Sequence, residues 1–147
     1  MEPNENSITI LMAEDDDGHA LLIQERFDSI GVCNSVIRFR NGQETWDFLT
    51  GTLRPGLEAG KEYLLLLDIR MPVVDGTEVL RRVKNDPRLK NIPVIMLTTT
   101  DDPREIKLCY ELGCNNYLTK PVEFDKFAEV LKRLGLFLMI IKVSKVE

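Results

Sequence analysis

Cysteine, histidine and basic charge are all scarce in this sequence of 147 residues, and each shortage closes a class of function. The three cysteines, Cys33, Cys109 and Cys114, form no CxxC pair, and His19 is the single histidine, so neither a zinc site nor a disulfide framework is supported. An odd thiol count without a secretory leader reads as reduced, intracellular sulfur, packed as small buried hydrophobes. Residues 1–7 are polar and acidic, the opposite of a signal peptide. The apolar run at 136–141 is far shorter than the roughly 20 residues that span a bilayer. The formal net charge of −5 disfavours a nucleic-acid-binding surface. No glycine-rich loop ending in GKS or GKT is present, which leaves a nucleotide enzyme unsupported. The expectation is a soluble, cytoplasmic chain with neither a nucleic-acid nor a membrane partner.

What is present is a regular alternation. With 44% hydrophobic and 29% charged residues the composition is that of an ordinary globular domain. Short apolar runs at 8–13, 35–39, 63–67, 94–97 and 116–118 read as strands. Between them, apolar residues recur at roughly helical spacing: Ala20, Leu21, Ile23, Phe27 and Ile30; Trp46, Phe48 and Leu49; Val79, Leu80 and Val83; Ile106, Leu108, Tyr110 and Leu112; Phe124, Phe127, Val130, Leu131 and Leu134. Gly31 and Gly113 stand where helices stop, and residues 51–61, with three glycines and a proline, read as a loop. Five βα units with fully apolar strands imply a parallel sheet covered on both faces, and the flavodoxin-like order 2-1-3-4-5 is the natural topology. The expected organisation is one domain over 1–147, with a core of about 8–134 and an apolar extension at 135–147. One α/β domain is expected to use nearly all of that length, so no effector domain is expected within it.

Polar residues stand at the carboxyl ends of strands one, three, four and five: Glu14-Asp15, Asp68, Thr98 and Lys120. In an open parallel sheet those ends share one crevice, where ligands bind. Three carboxylates packed together repel one another unless a cation joins them. Oxygen-only ligands with room for water suit Mg²⁺. A carboxylate such as Asp68 is also able to attack phosphorus and form an aspartyl-phosphate. The incoming charge would be balanced by the cation and by the Lys120 ammonium, and the Thr98 hydroxyl has a hydrogen bond to donate. Phosphoryl transfer asks for little more than such positioning.

The segments ILMAEDDD, LLLLDIRMPVVDG, VIMLTTT and YLTKP, in this order over about residues 8–134, closely resemble the response-regulator receiver domain (CheY-like) of two-component signalling. The resemblance implies a regulatory protein rather than an enzyme, one that catalyses only its own phosphoryl transfer and dephosphorylation. It makes Asp68 the acceptor of a phosphoryl group from a sensor histidine kinase, with Mg²⁺ (or Mn²⁺) as cofactor. Asp15 would be a direct metal ligand, Glu14 would act through water, and the backbone carbonyl of Arg70 would be the third protein ligand. Thr98 becomes the switch hydroxyl, Lys120 the lysine of the site and Tyr117 the switch aromatic residue. Arg70 and Thr100 occupy the positions that tune phosphate lifetime, and the Lys120–Pro121 bond is expected to be cis. Output would come from remodelled binding at helix four, strand five and helix five. The tail and the long loop before Tyr63 resemble the small cyanobacterial phytochrome response regulators, which makes a bacteriophytochrome-like kinase the implied partner.

Plainer readings stand beside these. Glu14 to Asp17 suits a helix start, where carboxylates favour the dipole, and Asp16 and Asp17 are read as no more than that. Asp68 and Thr98-Thr99-Thr100 have turn and N-cap uses, Lys120 taken alone would be a solvated surface residue, and Tyr117 has a reading as plain core. His19 invites a phosphohistidine-carrier reading, against which stands a simple surface position on the first helix. Trp46 reads as packing. The tail either folds back on the helices or forms a homodimer surface together with helix four, strand five and helix five, with self-association the favoured reading. Two other function classes compete. A haloacid-dehalogenase-type phosphatase would want an Asp where Arg70 stands, and a pure interaction module would not need Asp15, Asp68, Thr98 and Lys120 together.

Overall fold

A computed structural model of the chain describes residues 8–99 and 102–140. Its strands are β1 (Ile8–Ala13), β2 (Val36–Phe39), β3 (Glu62–Asp68), β4 (Val94–Thr98) and β5 (Asn116–Thr119). They alternate with α1 (Asp17–Ser29), α2 (Gly42–Thr50), α3 (Gly76–Asn85), α4 (Pro103–Glu111) and α5 (Phe124–Arg133), and a single turn, α6 (Phe137–Ile140), follows. The five strands form one parallel sheet in the order β2-β1-β3-β4-β5. This is the flavodoxin-like fold that the alternation predicts.

The strand period of two sorts the core into two layers. Ile8, Ile10 and Met12 of β1, with Leu64, Leu66, Ile95 and Leu97, face α1 and α5, where Phe27 and Phe127 stack with centroids 5.2 Å apart. Leu11, Ala13, Leu65, Leu67, Val94 and Met96 face the other way, against Phe48, Leu49, Val79, Leu80 and Val83. Burial on both faces explains why these strands are apolar at every position rather than at alternate ones.

Local chemistry sets the helix starts. Asp16, Asn41 and Asp75 cap α1, α2 and α3 by accepting from His19 N, Glu44 N and Glu78 N. Gly31 and Gly113 have φ of +85° and +104°, the left-handed conformation that a helix stop favours. The loop before β3 is longer than its partners and carries the cis Arg54–Pro55 bond.

One expectation changes, and the tail's described part takes one of its two readings. Of the cysteines, Cys109 and Cys114 are buried but Cys33 is exposed, because Val32 beside it takes the inward position at the turn leaving α1. The described part of the tail is folded back on its own domain: Ile140 is buried, and Leu136, Phe137 and Met139 pack against the α1–α5 layer. Residue 141, the end of the apolar run, lies outside the described residues.

Candidate functional site

The site is made by where strands stop. β1, β3, β4 and β5 are neighbours in the sheet, so Asp15, Asp68, Thr98 and Lys120 converge on one crevice of about 180 Å³, which His19 and Arg70 also line. Glu14 lies beneath it, fully buried. Asp15 is exposed at its mouth.

Each residue is held from below. The Glu14 N–H continues the sheet by donating to Phe39 O at 3.0 Å. Asp68 is the last residue of β3, and the loop after it is pinned by Gly76, whose N–H donates to Ile69 O at 2.7 Å. A Cβ at Gly76 would drive into the Asp68 carbonyl, so only glycine allows this close return. Lys120 follows β5; its N–H donates to Thr98 O at 2.8 Å, and its bond to Pro121 is cis as expected. Thr98, at the end of β4, is buried.

Electrostatics decide the state of the carboxylates. The Lys120 ammonium forms an ion pair with Glu14, lies 3.2 Å from Asp68 Oδ2, and reaches 3.4 Å to His19 Nδ1. One buried cation therefore serves two buried acids. Burial pushes the Asp68 carboxyl up and the hydrogen bond shared with Glu14 pushes the same way; despite Lys120 it reaches about 7. Burial also raises Glu14, but hydrogen bonds from Asp68 and Lys120 and the Lys120 charge outweigh it, and Glu14 ends below its ordinary value. Glu14 is thus the ionised partner and Asp68 retains a proton near neutrality.

The donor set fits a hard divalent cation. Glu14, Asp15 and Asp68 each offer an oxygen, and these oxygens lie within 4.8 Å of one another. A second, larger cavity of about 560 Å³ adjoins the crevice between α1 and the start of the β5–α5 connection, lined by Leu22, Ile23, Arg26, Pro121 and Val122. His19, Thr99 and Lys120 border both spaces.

The other predicted positions fall around this centre. Tyr117, half-buried on β5, meets Tyr110 of α4 edge to face at 5.9 Å. The Arg70 side chain turns to α4 and pairs with Glu105 at 2.6 Å. Thr100 lies outside the described residues. His19 departs from its plain surface reading, since its ring meets both Lys120 and Glu14. Trp46 is packing, with the Arg82 guanidinium 5.5 Å over its ring. Sequence reasoning missed Arg38 of β2, whose guanidinium donates to the Glu14 carbonyl; neither its spacing nor its type singles it out in a strand.

This arrangement defines a class: an α/β protein with acidic, hydroxyl and lysine groups gathered at the carboxyl edge of a five-stranded parallel sheet. The family model "Response regulator receiver domain" matches residues 10–132, and the chain belongs to that family. The probable methanogenesis regulatory protein FilR2 of Methanothrix harundinacea is 34% identical over 130 residues, covering 88% of this chain and 83% of FilR2. The structure of the bacteriophytochrome response regulator AtBRR superposes with a TM-score of 0.78 at 34% identity, over 96% of this chain and 99% of AtBRR. Response regulator Rcp1 of Synechocystis is 36% identical over 76% of this chain and 75% of its own. Its Mn²⁺-bound structure gives a TM-score of 0.68 at 30% identity, over 95% and 99% of the two chains. The protein is a regulatory receiver with phytochrome response regulators among its homologues. Receiver domains interact with histidine kinases and bind Mg²⁺ or Mn²⁺ at an acidic pocket such as the one built by Glu14, Asp15 and Asp68. Among the described residues no helix is long and apolar enough to cross a membrane.

Proposed function

We propose that residues 1–147 act as one receiver domain that takes a phosphoryl group onto Asp68 from a kinase phosphohistidine and signals through changed protein binding. The observation that carries this reading is the Lys120 ammonium shared between Glu14 and Asp68 at the mouth of the β3 and β4 strand ends. In the transfer, an Asp68 carboxylate oxygen bonds to phosphorus as the phosphorus–nitrogen bond breaks; the imidazole keeps the electron pair and takes a proton from solvent. Asp68 must be ionised for this attack. A bound Mg²⁺ supplies the positive charge that favours the ionised form and offsets the phosphoryl oxygens. Asp15 and Asp68 would hold it directly, Glu14 would act through water, and the Arg70 carbonyl would complete the protein's contribution.

Lys120 then shifts from Asp68 to a phosphoryl oxygen, and the Thr98 hydroxyl donates to another. Tyr117 follows Thr98 inward, away from Tyr110, and the α4–β5–α5 face changes shape. Arg70 and Thr100 set how readily water reaches the phosphate. The partner kinase is bacteriophytochrome-like, as the likeness to AtBRR and Rcp1 supports. The changed face, with Leu108 and Tyr110 exposed on α4, binds a target or, together with the tail, a second copy. A dehalogenase-type phosphatase is disfavoured because Arg70, in place of a second Asp, is already paired with Glu105.

Intact mass after incubation with acetyl phosphate and Mg²⁺ tests the reading. Wild type should gain about 80 Da, one phosphoryl group, and Asp68→Asn should gain nothing. Equal gains in both would place the acceptor elsewhere. No gain in wild type, together with no binding of a beryllofluoride analogue, would leave a pure interaction module.

A further inference from the structure

The geometry assigns to Arg38 a role as the positioning residue of the metal site, acting through the backbone carbonyl of Glu14; this rests on the metal-dependent reading above. Arg38 lies on β2, opposite Met12 of β1, and contributes no atom to the crevice itself. Its side chain reaches past the end of the ladder. Nε donates to Glu14 O at 3.0 Å and Nη2 donates to the same oxygen at 2.8 Å, while Nη1 donates to Asp17 Oδ1 at 2.7 Å. Arg40 adds a second donor to that Asp17 oxygen, also at 2.7 Å.

The reason for the clamp is a missing strand partner. Up to Glu14, β1 and β2 exchange backbone hydrogen bonds: Ile10 N–H reaches Ser35 O and Glu14 N–H reaches Phe39 O. Beyond that point β2 has ended, and Asn41 is already the N-cap of α2. The Glu14 carbonyl would emerge from the sheet without a backbone donor, at the peptide that joins the two acidic residues. The Arg38 fork supplies two donors there and fixes the peptide plane.

That plane matters most for Asp15. The Glu14 carboxylate is held by Lys120, and the Asp68 carboxylate is held by the same ammonium. The Asp15 carboxylate is exposed, and among the described residues no side-chain hydrogen bond or ion pair holds it. Its direction is set by its own backbone, hence by the peptide that Arg38 clamps. Groups that orient metal ligands in this way typically change metal affinity by about 10–100-fold when removed. The arginine brings positive charge as well as geometry, and the two act oppositely on cation binding. Substitution by lysine keeps the charge and loses the fork, so it isolates the geometric part.

The test is Mg²⁺ titration of the metal-free protein by calorimetry, for wild type, Arg38→Lys and Asp17→Asn, with thermal melting of each. We expect Arg38→Lys to weaken Mg²⁺ binding about tenfold, with a melting temperature within a few degrees of wild type. Asp17→Asn removes the exposed ion pair but leaves the fork on Glu14 O, and its affinity should stay within about twofold. Wild-type affinity in Arg38→Lys, or an equal loss in both variants, would overturn the clamp while leaving the metal site standing. A wild-type protein that binds no Mg²⁺ would overturn the metal site and the clamp together. Should Arg38→Lys fold poorly, Mn²⁺ titration of Arg38→Gln serves the same comparison, with loss of affinity expected and wild-type or tighter binding counting against the proposal.

Discussion

Lys120 holds the site together by standing between acids that would otherwise repel. Its Nζ pairs with Glu14, touches Asp68 Oδ2 at 3.2 Å and faces His19 Nδ1 at 3.4 Å, in a pocket where both carboxylates are almost sealed from water. Removing one partner of a buried pair leaves the other charge uncompensated, which typically costs 3–5 kcal/mol. Lys120→Met should therefore destabilise the protein by about 3 kcal/mol at pH 8. The loss should shrink near pH 5, where Asp68 is protonated and Glu14 is the one carboxylate of the pair still charged. Urea denaturation at the two pH values checks this; an equal loss at both would mean that packing of the lysine stem, and not its charge, matters. Asp68, Thr98 and Lys120 were legible from sequence because the first two end strands, Lys120 directly follows one, and strand ends are placed by topology. His19 was not, because a first-turn helix residue reaches Lys120 only through the fold, across a sequence separation no local pattern encodes.

At the scale of elements, the β3–α3 connection carries the most strain near the site. Val73 has φ of +69° and is 79% exposed, so a β-branched side chain occupies a left-handed conformation with nothing packed on it in return. Such a residue costs about 1–2 kcal/mol, part of which glycine recovers after its own entropy cost. We expect Val73→Gly to stabilise by about 0.5–1 kcal/mol with phosphorylation retained; a lower melting temperature would show that the loop depends on the valine. Gly76, three residues on, behaves in the opposite way. Its missing Cβ leaves room for the Asp68 carbonyl, so Gly76→Ala should destabilise and slow loading of Asp68. The helices and strands were legible because apolar periodicity and caps agree, as at Asn41 and Asp75. The tail was less so. A run that is apolar throughout states that it must be covered but not by what, and only the burial of Ile140 and the packing of Leu136, Phe137 and Met139 on the α1–α5 layer show where the described part rests.

Across the whole molecule, the site stores an unfavourable charge arrangement that a cation relieves, and pH exposes it. Asp68 titrates at its ordinary 3.8 when unfolded and at about 7 when folded, because burial and the bond with Glu14 favour its neutral form. Between these values the folded state binds the extra proton, so stability falls as pH rises from about 4 to about 7 and levels off above. Glu14 shifts the other way, and its contribution is lost only as pH falls below about 4.5, outside that window. At about 1.4 kcal/mol for each pH unit crossed, the Asp68 penalty grows by roughly 2–3 kcal/mol between pH 5 and pH 8. Asp68→Asn removes the titration but keeps the shape. In EDTA, the variant should gain on wild type as pH rises, its melting temperature moving ahead by roughly 5 °C from pH 5 to pH 8. Mg²⁺ added at pH 8 should raise the wild-type melting temperature more than the variant's, since only wild type has the third charged oxygen to offer. A constant gap between the two proteins across this range would mean that Asp68 is ionised throughout. Lys120 alone would then suffice to hold both carboxylates charged, and the cation would enter a site already balanced.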